Sequence, residues 1–153
     1  NYSFLYVILF SALHELGHIT ALYLMGGKAD TITVAYYGIG LKYSTPLGTF
    51  KTVFILLCGP LVNLLLLLFG IGYDINIALL VINLLPIYPL DGGRILKLLL
   101  NQVFSLSVSD KLFIAVTSVF IVLLFGLCFY LKSTSLLLIV IYVLVYSVNN
   151  SFD

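Results

Sequence analysis

Residues 2–25 read YSFLYVILFSALHELGHITALYLM, an apolar run that holds two imidazoles and a carboxylate near its middle. A membrane-crossing helix needs about 20 predominantly apolar residues. The stretch therefore predicts a first spanning helix, ended by Gly26-Gly27. Positions i and i+4 of an α-helix share a face, so His14 and His18 can aim ring nitrogens at one point. Glu15 stands beside them. Ionisable groups at bilayer depth are costly and mark functional pathways, which gives His14-Glu15-Leu16-Gly17-His18 more weight here than in a soluble chain.

The rest of the chain supports a bilayer setting. Of 153 residues, 62% are hydrophobic and 8% charged, with a mean hydropathy of +1.21. Soluble domains carry about 25% charged residues, so composition predicts an integral membrane protein. A net charge of +1 argues against a nucleic-acid partner. Cys58 and Cys128 both lie in apolar segments and read as small helix residues rather than a disulfide or metal site. The first segment is too long for a signal peptide. Without an initiator Met, the chain is expected to begin inside a longer gene product. That leaves room for a preceding membrane helix and for a regulatory domain beyond Asp153.

Polar punctuation divides the remainder. Residues 28–51 form the most polar stretch, with Lys28, Asp30, Lys42 and Lys51. Within it, Thr31–Tyr37 and Ile39–Tyr43 are β-prone around Gly38 and predict a small hairpin. A second helix is expected over Thr52–Gly70, and a third apolar segment over Ile75–Leu85. Pro86, Pro89 and Asp91-Gly92-Gly93 interrupt it before a helix resumes over Arg94–Phe104. Further spans are expected at Lys111–Tyr130 and Thr134–Val148. The expected fold class is thus an all-α polytopic membrane protein, with about five transmembrane helices and a small β-hairpin between the first two. Residues 1–153 read as a single membrane-embedded domain, with no internal repeat or linker.

Lysine and arginine in short loops set orientation. If the spans alternate, Lys28, Lys42, Lys51 and Lys111 share one side and Lys132 stands on the other. The 27–51 loop is then cytoplasmic, and His14 lies about 17 Å from the Gly26 end, near mid-membrane.

HExxH on a helix is the zinc-peptidase pattern, with the histidines as ligands and the glutamate as general base. Catalytic zinc takes three protein ligands and keeps a fourth position open, so a third ligand is needed. Of the six acids, Asp30, Asp74, Asp110 and Asp153 fall in expected loops or at the terminus, and no glutamate follows Glu15. Asp91 remains. Its broken backbone, tolerated at membrane depth only where it is buried in protein or lines a wet cavity, suits a site. The alternative is an aspartate that simply N-caps the next helix, and the two roles are compatible. Asn63 reads equally as a helix-bridging or a site residue. Asn83, just before the proline break, reads as a site residue. Arg94 and Lys97 are expected to snorkel, and the tyrosines to sit at interfaces or in packing.

HELGH on a membrane helix, followed downstream by Asn83-Leu84-Leu85-Pro86-Ile87-Tyr88-Pro89-Leu90-Asp91-Gly92-Gly93, resembles the site-2 protease family of intramembrane zinc metalloproteases. The likeness is greatest to the sporulation-type branch, which processes a membrane-tethered sigma-factor precursor. The resemblance covers about residues 3–101, and the helices over 111–148 match only in hydrophobicity. It implies one Zn2+ per chain held by His14, His18 and Asp91, with Glu15 as catalytic base and Asn83 positioning substrate or the oxyanion. Gly59-Pro60-Leu61-Val62-Asn63 matches the GxxxN-type element of the family's second helix. PDZ and CBS modules, found more broadly in the family, are absent from these residues.

The expected function is hydrolysis of a peptide bond in a membrane-tethered protein substrate, such as a transcription-factor precursor, within or near the bilayer. The expected setting is a bacterial cytoplasmic membrane, with a membrane regulatory partner. Three rivals fit less well. A metallopeptidase with a downstream glutamate ligand lacks that residue. A membrane metal or proton transporter using the same His, Asp and Glu residues would show paired broken helices, and one break is evident. A catalytically dead scaffold has no need of Glu15.

Overall fold

The computed structural model describes residues 2–27, 29–35, 38–43, 47–132, 140, 141 and 145. The chain divides into two compact units, residues 1–83 and 84–153.

The first unit holds α1 (Tyr2–Leu24), β1 (Ala29–Ala35), β2 (Gly38–Tyr43), α2 (Thr49–Leu68) and α3 (Tyr73–Asn83). The strands pair antiparallel, with Thr31 opposite Lys42 and Val34 opposite Ile39, and an irregularity between Ala29 and Thr31. β1 begins ahead of the β-prone run at Thr31, and residues 36–37 lie outside the described set. α2 starts three residues before the expected Thr52, because Gly48 is extended and its carbonyl accepts the Thr52 N–H.

α1 and α2 run antiparallel. Ala21 and Leu22 of α1 are buried against Ile55 of α2, with Met25, Leu47 and Cys58 packed around them. One step nearer the N-terminus, a Cβ on Gly17 would stand 2.7 Å from the Cys58 carbonyl oxygen and 2.8 Å from Val62 Cγ2. Only glycine lets the two helix backbones come this close, the small-residue device of membrane helix pairs. Pro60 lies inside α2 and is buried. It removes one backbone donor from the helix, which membrane helices tolerate where neighbouring groups take up the freed acceptor.

The second unit opens with the irregular segment 84–90. Ile87 is fully buried there. The Ile87 N–H donates to Leu85 O (2.8 Å), the Leu90 N–H to Ile87 O (2.9 Å), and Thr117 Oγ1 to Pro86 O (3.0 Å). These bonds replace part of the ladder that the prolines break. α4 (Asp91–Val103) and α5 (Leu106–Leu131) follow. Both begin earlier than expected. α4 starts at Asp91 rather than Arg94, with extended Leu90 as its N-cap and the Arg94 N–H bonded to Leu90 O. α5 starts at Leu106 rather than Lys111, because Ser105 O accepts from both Val108 and Ser109.

Asp110 therefore sits in a helix, not a loop, and pairs with Lys97 of α4. Lys97, expected to snorkel, instead lies between that carboxylate and the Phe113 ring, 5.7 Å from its centroid. Buried Ser109 donates to Asn101 Oδ1 (2.6 Å) beside the pair.

Among the described residues, α1, α2 and α5 are long and apolar enough to cross a bilayer, and α3 is a shorter apolar helix. Most of the large apolar side chains along α5 are exposed. For so hydrophobic a surface the matching solvent is lipid. The span expected over 134–148 lies mostly outside the described residues.

Candidate metal centre

His14 and His18 fall one turn apart on the face of α1 that meets α2, and both are buried, at 4% and 6% exposure. α2 holds each ring by its Nδ1. His14 Nδ1 lies 2.5 Å from Asn63 Oδ1, and His18 Nδ1 lies 2.8 Å from the Ile55 carbonyl oxygen. Both partners are acceptors, so both Nδ1 atoms carry the ring hydrogen and both Nε2 atoms present lone pairs.

Those Nε2 atoms converge to 3.1 Å. With the hydrogens on Nδ1, no hydrogen bond joins them, and the approach brings two lone pairs together. A cation between them relieves that repulsion. Two nitrogens at about 2.0–2.1 Å from a tetrahedral zinc would themselves be separated by about 3.4 Å, so the spacing suits zinc. A second feature agrees. A Cβ on Gly59 of α2 would collide with both Nε2 atoms. The missing side chain is what leaves space in front of the imidazoles.

Glu15 follows His14 on α1 and is half-buried. Asn63 both bridges helices and orients His14, so the two readings of it merge. Its Nδ2 donates to Asn76 Oδ1 of α3 (2.8 Å). Asn76 is fully buried and its Nδ2 donates to Ile71 O (2.9 Å) and Gly72 O (3.2 Å). Nothing in the sequence reading singled out Asn76. The available signal was a lone amide inside an apolar run, a group that must find partners when buried.

Two further residues expected at the site stand on other elements. Asn83 closes α3 and its Nδ2 donates to Leu79 O (3.0 Å), back onto its own helix. Asp91 is the first residue of α4 in the second unit and is 7% exposed. Leu90 occupies the N-cap position and its side chain makes no cap bond, so Asp91 stands one residue inside the helix rather than at the cap. The Asp91 carboxylate lies in the first turn, where the helix dipole favours negative charge. Neither cysteine joins a disulfide.

Two imidazoles of one apolar helix, each held at Nδ1 by the neighbouring helix and converging at Nε2, make a candidate metal site. Comparison with known proteins adds three likenesses. The model of peptidase family M50 matches residues 67–127. A zinc metalloprotease of Methanocaldococcus jannaschii is 32% identical over 164 residues, which take in 93% of this chain and 47% of that protein. The chain thus spans about half the length of that curated relative. The solved structure of a site-2 protease from Methanocaldococcus jannaschii shares the fold, with a TM-score of 0.69 at 23% identity, over 97% of this chain and 76% of that one. Over residues 67–127 the chain is similar to peptidase family M50, and it is similar in sequence to a zinc metalloprotease.

Proposed function

We propose that this chain is the catalytic core of a zinc metalloprotease that cuts membrane-tethered proteins within or near the bilayer. The observation that carries the reading is the pair of buried imidazoles, each fixed at Nδ1, with Nε2 atoms 3.1 Å apart. His14, His18 and Asp91 would hold one zinc per chain, a donor set of two imidazoles and one carboxylate that leaves a position open. Zinc held there would supply acidification of a water molecule and polarisation of the scissile carbonyl.

The protein's own groups do the rest. Glu15 takes a proton from the attacking water and returns it to the leaving amine nitrogen as the C–N bond breaks. Asn83, released from Leu79 O, donates Nδ2–H to the carbonyl oxygen as it gains charge. Asn63 and Ile55 hold the two imidazoles in line throughout. A helical substrate hides its carbonyls in internal bonds, so it must become extended first. The β1–β2 hairpin, just past α1, offers a strand edge on which that can happen.

The finer reading assigns substrates of the transcription-factor-precursor kind, a membrane regulatory partner, and the sporulation-type branch of the family. It sets the chain in a bacterial cytoplasmic membrane with the 27–51 loop on the cytoplasmic side, where the lysines concentrate. About five spans complete it, counting 134–148 and the broken α3–α4 passage.

The test is to purify the protein in detergent, measure zinc per chain, and assay cleavage of single-span substrates by the parent and by Glu15→Gln. The variant should retain about one zinc, since its ligands are untouched, and lose cleavage, since its base is gone. Substantial turnover by Glu15→Gln removes Glu15 from the mechanism, and absence of stoichiometric zinc in the parent removes the metalloprotease reading.

A further inference from the structure

We infer that Asn76, acting through Asn63, sets the tautomer of His14, which makes both asparagines positioning residues of the metal centre. The inference rests on reading His14 as a metal ligand. It begins at the α2–α3 turn. Asn76 Nδ2 faces two carbonyl oxygens, those of Ile71 and Gly72. Carbonyls only accept, so the Asn76 amide has one permitted orientation and its Oδ1 points toward Asn63.

That orientation propagates. An oxygen facing Asn63 requires Asn63 to present Nδ2–H, as it does at 2.8 Å. Its Oδ1 is thereby turned to His14 Nδ1, at 2.5 Å. An oxygen at Nδ1 places the ring hydrogen there and leaves Nε2 as a lone pair. Both asparagines are fully buried, so no bulk water competes for these bonds. A polar chain in a low-dielectric interior is strong when every member is satisfied and costly when one is not. The effect of the two amides passes through the histidine, as with the groups that orient ligands in other metal sites.

The chain of orientations makes an unusual prediction. Asn76→Leu removes the acceptor that Asn63 Nδ2 needs. The Asn63 amide is then free to turn over, present N–H to His14 Nδ1, and drive the ring hydrogen to Nε2, where it blocks ligation. Zinc affinity, read by competition with a chromophoric chelator in detergent, should fall about 10–100-fold. Asn63→Asp in the Asn76→Leu background should restore most of it, because a carboxylate offers oxygen to Nδ1 in either orientation. A merely structural role for Asn76 predicts no such rescue.

A measurement on the parent covers the case of a poorly folding variant. In the metal-free parent, ring 15N shifts should show His14 protonated at Nδ1. Protonation at Nε2, zinc affinity in Asn76→Leu equal to the parent's, or failure of Asn63→Asp to rescue overturns the inference. Failure of the underlying reading looks different: His14→Ala then binds zinc as the parent does. If His14→Ala loses zinc while Asn76→Leu retains it, the metal centre stands and the asparagine relay falls.

Discussion

Gly59 lies directly against the candidate metal centre, since even a methyl group there meets the Nε2 atoms of both His14 and His18. Gly59→Ala should therefore lose zinc nearly completely, as measured by metal content after gel filtration. Overpacking of this kind costs about 1–3 kcal/mol, so the α1–α2 pair should still form. Retention of full zinc content in Gly59→Ala would mean the imidazoles meet their ion from another direction. Asp91 poses a cleaner chemical question. Asp91→Asn keeps shape but removes charge, and a neutral amide is a poorer metal ligand than a carboxylate. Zinc affinity should drop beyond the roughly 10–100-fold that losing an outer-shell partner brings. Unchanged affinity would leave Asp91 only the favourable place of a carboxylate in the first helical turn. His14, Glu15, His18 and Asp91 were nominated from the sequence because few other residue types at bilayer depth need explaining, and the two histidines do converge at Nε2. Asn76 was not, because a single amide in an apolar run has an ordinary bridging role on offer.

At the scale of elements, the β1–β2 hairpin carries its own prediction. Strand addition works through main-chain bonds, so proline at an edge deletes a donor without touching the metal centre. Thr31→Pro, Thr33→Pro and Ala35→Pro should cut cleavage while zinc content stays normal, with the largest loss at alternate positions. Weakening the substrate helix near its cleavage point should partly restore turnover. Parental rates in all three variants would move substrate extension to the segment around Pro86 and Pro89. The elements also mark the limits of sequence reading. Apolar length located α1 and α2, and the prolines located the break after α3. The starts of α4 and α5 were missed by three and five residues. Lys97 and Asp110 sit in adjoining helices, outside the i, i+4 spacing that reveals a pair on one helix. Read singly, Asp110 resembled a loop residue, whereas the paired charges are tolerated together inside the helices.

The whole molecule makes a topological claim. α1 and α2 are antiparallel and both long enough to span, so residues near Gly48 and near Asp74 should face opposite sides of the membrane. In a chain whose Cys58 and Cys128 are replaced by alanine, Gly48→Cys and Asp74→Cys should label oppositely with a membrane-impermeant thiol reagent. In intact cells only the second should react, and labelling of both from outside would contradict the orientation assigned from the lysines. The two histidine anchors also differ in what encodes them. His18 is aimed by a main-chain carbonyl that every residue type at position 55 supplies, whereas His14 is aimed by two specific amides. One half of the metal centre is thus buffered against sequence drift by the backbone itself. The other half is exposed to it, and evolutionary constraint on this protein should concentrate in a pair of asparagines rather than spread evenly around the ion.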